Sequence, residues 1–142
     1  MRHLVVGLVV VAALACGGAG GLADQSAVSG TYTLVSVKGQ PLPFTISAGP
    51  PKSTLTSDVL TVFTGGSWSE TGTYSTTQNG QATVLPINDG GTWIHSAARE
   101  VTFVRADGSV AYSGTFLGLT MKLNRGAGGF VPGGADVYVF AK

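Results

Sequence analysis

The segment Ser67-Trp68-Ser69-Glu70-Thr71-Gly72-Thr73-Tyr74 contains the pattern that decides the fold. Its odd-numbered positions carry only hydroxyl side chains, whereas its even-numbered positions carry Trp68, Glu70, Gly72 and Tyr74. Because successive side chains of a β-strand point to opposite faces, this alternation predicts a strand with a polar outer face and a largely aromatic inner face.

The segment 100–116 repeats the plan of 58–74 at an offset of 42 residues. In its second strand, Val110, Tyr112, Gly114 and Phe116 are expected to point inward, with Ala111 between them pointing outward. A third Gly-Thr-Tyr at 30–32 has the same spacing, which leaves a β-trefoil open as an alternative. The remaining positions do not match at this offset. We therefore interpret the repeat as two hairpins of one sheet that meet the same packing demands.

Period-2 alternation recurs from residue 28 onward, and no 3.6-residue apolar stripe is sustained there. Asn79-Gly80 and Asp107-Gly108 are dipeptides typical of tight hairpin turns, and Asn88 to Gly91 is a further turn signal. These patterns predict an all-β domain of about eight strands, arranged as an antiparallel barrel or as a small β-sandwich. The predicted strands are 30–37, 58–64, 67–76, 81–87, 99–106, 109–116, 117–124 and 136–142.

The first 15 residues have the plan of a secretory signal peptide, with a basic start, an apolar run and Ala13-Leu14-Ala15 before Cys16. Cys16 is the only cysteine of the chain. A cysteine directly after the cleavage site predicts a lipoprotein, with Cys16 lipidated, residues 16–27 as a flexible tether and residues 28–142 as the barrel domain. The expected location is extracytoplasmic, on an outer-membrane or periplasm-facing surface. Cleavage after Ala15 or after Ala23 by an ordinary signal peptidase would give a secreted protein instead.

Composition excludes several classes of function. Eight Lys and Arg residues stand against seven Asp and Glu, which gives no basic surface for nucleic acid. After removal of the leader His95 is the one histidine, so no His/Cys metal cluster and no convincing catalytic triad can be assembled. We therefore predict a protein that is not an enzyme and that carries no cofactor and no metal, with His95 at the surface.

The chain resembles bacterial lipocalin-like domains over residues 28 to 142. The resemblance rests on Gly30-Thr31-Tyr32-Thr33-Leu34, on Gly39-Gln40-Pro41-Leu42-Pro43, on the two hairpins and on the final strand. Lipocalins carry Gly-x-Trp on the first strand and an Arg near the end of the last strand, packed over that aromatic ring. Tyr32 and Lys142 hold the corresponding positions here. The resemblance implies an eight-stranded antiparallel up-and-down barrel, closed at one end, that holds an apolar ligand.

Two functions follow as expectations. The first is an envelope-anchored carrier of a small hydrophobic ligand; the second is a filled barrel that acts as a structural or interaction module and binds another envelope protein. Glu70 points inward by phase, with Arg99 or Arg105 as its expected partner, unless it lies solvated at the barrel mouth. We hypothesise that Phe130 and Val131 form a small apolar lid over one end of the barrel. The candidate ligand-binding residues are Tyr32, Leu34, Trp68, Glu70, Tyr74, Tyr112 and Phe116.

Overall fold

The computed structural model describes residues 22–96, 99–126 and 136–142. A short helix, α1 (Leu22–Val28), includes the last residues of the segment predicted as a tether, and ten strands follow it. The strands are β1 (Gly30–Val37), β2 (Gln40–Pro41), β3 (Phe44–Ser47), β4 (Lys52–Val62), β5 (Ser67–Gln78), β6 (Gln81–His95), β7 (Glu100–Arg105), β8 (Val110–Leu117), β9 (Thr120–Arg125) and β10 (Val137–Ala141).

Eight of these strands form a closed antiparallel barrel. From β4 to β10 each strand pairs with the next along the chain, and β1 pairs with both β10 and β4 to close the ring. β2 and β3 are short additions on β1 and β4. The predicted eight-stranded antiparallel barrel is therefore confirmed, and the trefoil and sandwich alternatives are wrong.

The turn predicted at Asn88 to Gly91 is wrong, because these residues lie inside β6. Gly91 is needed there for close packing: a Cβ atom on it would lie 2.0 Å from the carbonyl oxygen of Val104 on β7. Between the predicted strands 30–37 and 58–64 the structure adds β2, β3 and the first residues of β4.

Helix α1 lies at the barrel end that contains the start of β1, the β4–β5 turn and the β8–β9 turn, which we call the α1 end. Val28 at the end of the helix is buried, and its carbonyl accepts a hydrogen bond from the Tyr32 hydroxyl. The opposite end holds the β5–β6 and β7–β8 turns. Among the described residues, no helix is long and apolar enough to cross a membrane.

The barrel interior is packed by side chains from every wall. Inward alternation holds along most strands, but Ala111 is fully buried while Val110 is 40% exposed, opposite to the prediction. A register shift between Phe103 and Val104 of β7 changes the phase at this point. The buried apolar residues include Tyr32, Leu34, Leu60, Trp68, Trp93, Val101, Phe103, Tyr112, Phe116, Met121, Leu123, Tyr138 and Phe140.

Candidate functional site

Five polar side chains converge inside the barrel and form what we call the polar cluster: Asp58, Glu70, Tyr112, Arg125 and Tyr138. They come from five different strands, β4, β5, β8, β9 and β10. Asp58 is 0% exposed and Glu70 is 1% exposed, and the Arg125 side chain is 4% exposed. Three ionisable groups therefore lie away from water in one place, which requires mutual compensation of their charges.

Glu70 lies at the centre of the cluster. The Tyr112 hydroxyl donates a hydrogen bond to Glu70 Oε1, and Arg125 Nη2 lies 3.6 Å from Glu70 Oε2. The Arg125 guanidinium carbon is 5.0 Å from the ring centroid of Tyr112 and 5.7 Å from that of Tyr138. The cation is thus held between a carboxylate and two aromatic rings, an arrangement that stabilises a buried positive charge.

Asp58 lies fully buried beside Glu70. Burial, the negative charge of Glu70 and a side-chain hydrogen bond with Glu70 raise the pKa of Asp58 to about 9, against the opposing effect of Arg125. At neutral pH Asp58 is therefore protonated and uncharged. Glu70 and Arg125 form the ion pair of the polar cluster.

Arg125 retains unused hydrogen-bonding capacity. Its Nε, Nη1 and Nη2 atoms are buried and have no hydrogen-bond acceptor among the described residues. Burial also raises the pKa of Tyr112 well above its ordinary value, so its hydroxyl remains a donor at physiological pH. The Tyr112 proton is already donated to Glu70, so Arg125 is the member of the cluster that can donate hydrogen bonds to a further oxygen atom inside the barrel.

The sequence-predicted ligand residues meet in the barrel interior. Trp68 packs edge-on against Phe103 and Tyr112, with ring centroids 5.6 and 6.4 Å away. Tyr112 also contacts Tyr138 and Phe140, each at 6.0 Å. Tyr32, Leu34, Trp68, Glu70, Tyr112 and Phe116 are all buried, and Tyr74 is half-buried against them.

The expected partners of Glu70 are wrong, and so is its placement at a solvated mouth. Arg105 Nε instead donates to Asp89 Oδ2 at 2.6 Å. Arg99 lies in the turn before β7, where its carbonyl accepts a hydrogen bond from Phe116 N. Arg125 is the ion-pair partner of Glu70 because the closed barrel brings β9 within reach of β5.

Asp58, Arg125 and Tyr138 were not singled out from the sequence, although a signal exists for two of them. Asp58 has the parity of Leu60 and Val62, and Arg125 has the parity of Met121 and Leu123. A charged residue in phase with buried apolar positions indicates a buried charge, and hence a partner.

Tyr32 and Lys142 show the pairing that the lipocalin resemblance implies. Lys142 Nζ lies 4.9 Å from the Tyr32 ring centroid and donates to the carbonyl oxygen of Ser29 at 2.7 Å. The last residue of the chain thereby fixes the start of β1 and the end of α1.

Other regions offer less chemistry. A depression of about 330 Å³ lies on the wall between β7 and β8, and Glu100 is the single ionisable residue that lines it. No group of three His, Cys, Asp or Glu side chains that fits a metal ion occurs in the described ranges. Cys16, Phe130 and Val131 lie outside the described residues.

Comparison with known proteins gives no relative: no family model, no curated protein and no solved structure matches this chain. The closed antiparallel barrel is compatible with a lipocalin-like fold.

Proposed function

We propose that this protein is a non-enzymatic interaction module of the cell envelope: a lipocalin-like barrel with a filled lumen, anchored through a lipid on Cys16, whose outer surface binds another envelope protein. The observation that carries the proposal is the position of Tyr112. Its ring extends from β8 and contacts rings on β5, β7 and β10 at centroid distances of 6.0 to 6.4 Å.

A ring that contacts three other walls occupies the centre of the lumen. An eight-stranded barrel has an interior just wide enough for its own side chains or for one small ligand. Packed side chains and a ligand therefore compete for the same space. The buried aromatic residues favour the filled barrel over the carrier of an apolar ligand.

A free strand edge supports the interaction role. β6 pairs with β5 from Gln81 to Thr92, but it pairs with β7 only from Gly91 onward. In the described part of the chain no strand pairs with the other edge of residues 81–90. Val84 on this stretch is 66% exposed. An edge of this kind accepts an extended segment of a partner through main-chain hydrogen bonds.

Native mass spectrometry of the chain, set against its denatured mass, tests the filled lumen. We expect the bare polypeptide mass and no binding of fluorescent fatty-acid probes. A copurified apolar molecule, or saturable probe binding to the wild-type chain, would contradict a filled lumen and support the carrier.

The second candidate, a ligand carrier, is favoured by Arg125. Its buried nitrogens have no acceptor among the described residues, so a ligand with an oxygen-bearing end would satisfy them. The same mass measurement decides between the two functions. A bound molecule whose release follows Arg125→Met would establish the carrier.

Lipidation is tested separately. Mass analysis of the chain isolated from a bacterial envelope is expected to show Cys16 as the first residue and to carry diacylglycerol. Cleavage after Ala23, with loss of Cys16, would contradict the anchor but not the filled lumen.

A further inference from the structure

The exposed apolar side chains that are larger than valine are grouped at one end of the barrel. Among the described residues, those larger than valine are Phe63, Ile94, Leu117 and Leu119, with 46% to 65% of each exposed. The other exposed large apolar residues are all valines: Val35, Val84, Val110 and Val137.

The four larger residues all lie at the α1 end. Phe63 begins the β4–β5 turn, and Trp93 N donates to Gly66 O at 2.8 Å, which places Ile94 beside that turn. Leu117 and Leu119 flank Gly118 in the β8–β9 turn. We call these four residues the apolar rim. Lys142 N donates to Leu119 O at 3.0 Å, which joins the β8–β9 turn to the end of β10.

The lipid anchor sets which end of the barrel is near the membrane. Six peptide steps separate Cys16 from Leu22, the first residue of α1, and span about 20 Å at most. β5 has 12 residues and is about 40 Å long from one end of the barrel wall to the other. A lipid on Cys16 therefore holds the α1 end close to the bilayer, while the β5–β6 turn points away from it.

We propose that the apolar rim docks on the surface of a lipid bilayer, with Phe63, Leu117 and Leu119 inserted among the headgroups. This inference rests on the proposed lipid anchor. Exposed apolar side chains grouped at one end of a domain mark interaction surfaces, and the short connection to Cys16 makes the bilayer the occupant. Docking would fix the orientation of the barrel and present the β6 edge to partners in the aqueous phase.

Hydrogen exchange of the full chain coupled through Cys16 to maleimide-bearing phosphatidylcholine vesicles tests the docking. The reference is the same chain with Cys16 capped by N-ethylmaleimide, in solution. On vesicles we expect exchange about tenfold slower for amides of the β4–β5 and β8–β9 turns, and unchanged exchange at Asn79-Gly80. Equal exchange of all three turns in both samples would overturn the proposal.

Two variants with matched exposure sharpen the test. Leu119 and Val84 are 65% and 66% exposed, so neither Leu119→Ser nor Val84→Ser disturbs the core. Leu119→Ser should reduce the slowing at 117–119, whereas Val84→Ser should preserve it. If the amides of residues 117–119 in Leu119→Ser exchanged as slowly on vesicles as in the wild type, the apolar rim would not be the docking surface. Lipidation of Cys16 in cells is measured independently, so a missing anchor and a missing docking surface give different results.

Discussion

Lys142 places its ammonium 4.9 Å from the ring centroid of Tyr32, and the Tyr32 hydroxyl in turn donates to the carbonyl of Val28. One contact thus joins the end of the last barrel strand, the first strand and helix α1. This side-chain contact adds to the main-chain pairing of β1 with β10 where the barrel closes.

Removal of this contact should loosen the α1 end. Lys142→Met is expected to lower the free energy of unfolding by about 1 kcal/mol, because it removes the cation–π contact and the hydrogen bonds to Ala27 O and Ser29 O. Urea titration measures the change. Lys142→Arg should retain most of the stability. Lys122→Met, at an exposed position of β9, is the control, and an equal loss there would contradict a specific role for Lys142.

Asp58 makes the stability depend on pH. The pKa of Asp58 is about 9 in the folded state against 3.8 for an unburied Asp, so the folded state binds more protons between these pH values. The stability from the protonated group is fully present below about pH 4 and is lost as the pH rises toward 9.

Asp58→Asn should therefore reduce the change in the free energy of unfolding between about pH 4 and pH 9. We expect the variant to exceed the wild-type free energy of unfolding by more than about 1 kcal/mol at pH 8, measured by urea titration from pH 5 to 9. Asp107→Asn, in an exposed turn, should keep the wild-type slope over this range. A wild-type profile without slope that Asp58→Asn leaves unchanged would show that Asp58 is ionised in the folded protein.

Breaking the buried ion pair should be costly. Arg125→Met leaves the Glu70 charge buried without its cation and is expected to destabilise the fold by about 3–5 kcal/mol. The double variant Arg125→Met/Glu70→Gln should recover part of this loss because no unpaired charge remains. Thermal unfolding of Arg125→Met, Glu70→Gln and the double variant measures the coupling, and purely additive losses would contradict a direct interaction.

The Tyr112 hydroxyl is expected to contribute through Glu70. Tyr112→Phe leaves Glu70 Oε1 without its donor and should cost about 1–3 kcal/mol. In the Glu70→Gln background the same substitution should cost less. Equal costs in both backgrounds, measured by urea titration, would exclude the hydrogen bond as the source.

Gly114 should not tolerate a side chain. A Cβ atom there would lie 2.0 Å from the carbonyl oxygen of Lys122 on β9. Gly114→Ala is expected to separate β8 from β9 locally and to cost about 3 kcal/mol in thermal unfolding experiments. Gly65→Ala, where no atom lies within 4 Å of the new Cβ, is the control and should be nearly neutral.

Local pattern predicted the strands well and the long-range contacts poorly. Alternation over 67–74 correctly turned Glu70 inward, because phase depends only on adjacent residues. Its partner depends on which walls face each other in a closed barrel, and β5 and β9 are not neighbours in the sheet. The sequence therefore offered Arg105, which the neighbouring Asp89 binds instead.

The alternation of inward and outward side chains is predicted wrongly where the register between two strands shifts. The register shift in β7 reversed the expected orientations of Val110 and Ala111, and nothing in the local composition marks that slip. Gly90-Gly91 resembles a turn in sequence, yet its lack of side chains serves close contact between strands. Glycine suits both a turn and a close contact between strands, and only the position of the neighbouring strand shows which of the two applies.

The edge of β6 also governs how two copies of the protein meet. Pro86 lies within this stretch, and proline has no amide hydrogen to donate to an incoming strand. A second β6 cannot build an unbroken ladder across that position, so stacking of barrel on barrel into fibres is interrupted there. A short segment that ends before Pro86 avoids the interruption, which makes the edge selective for a brief guest strand over self-association.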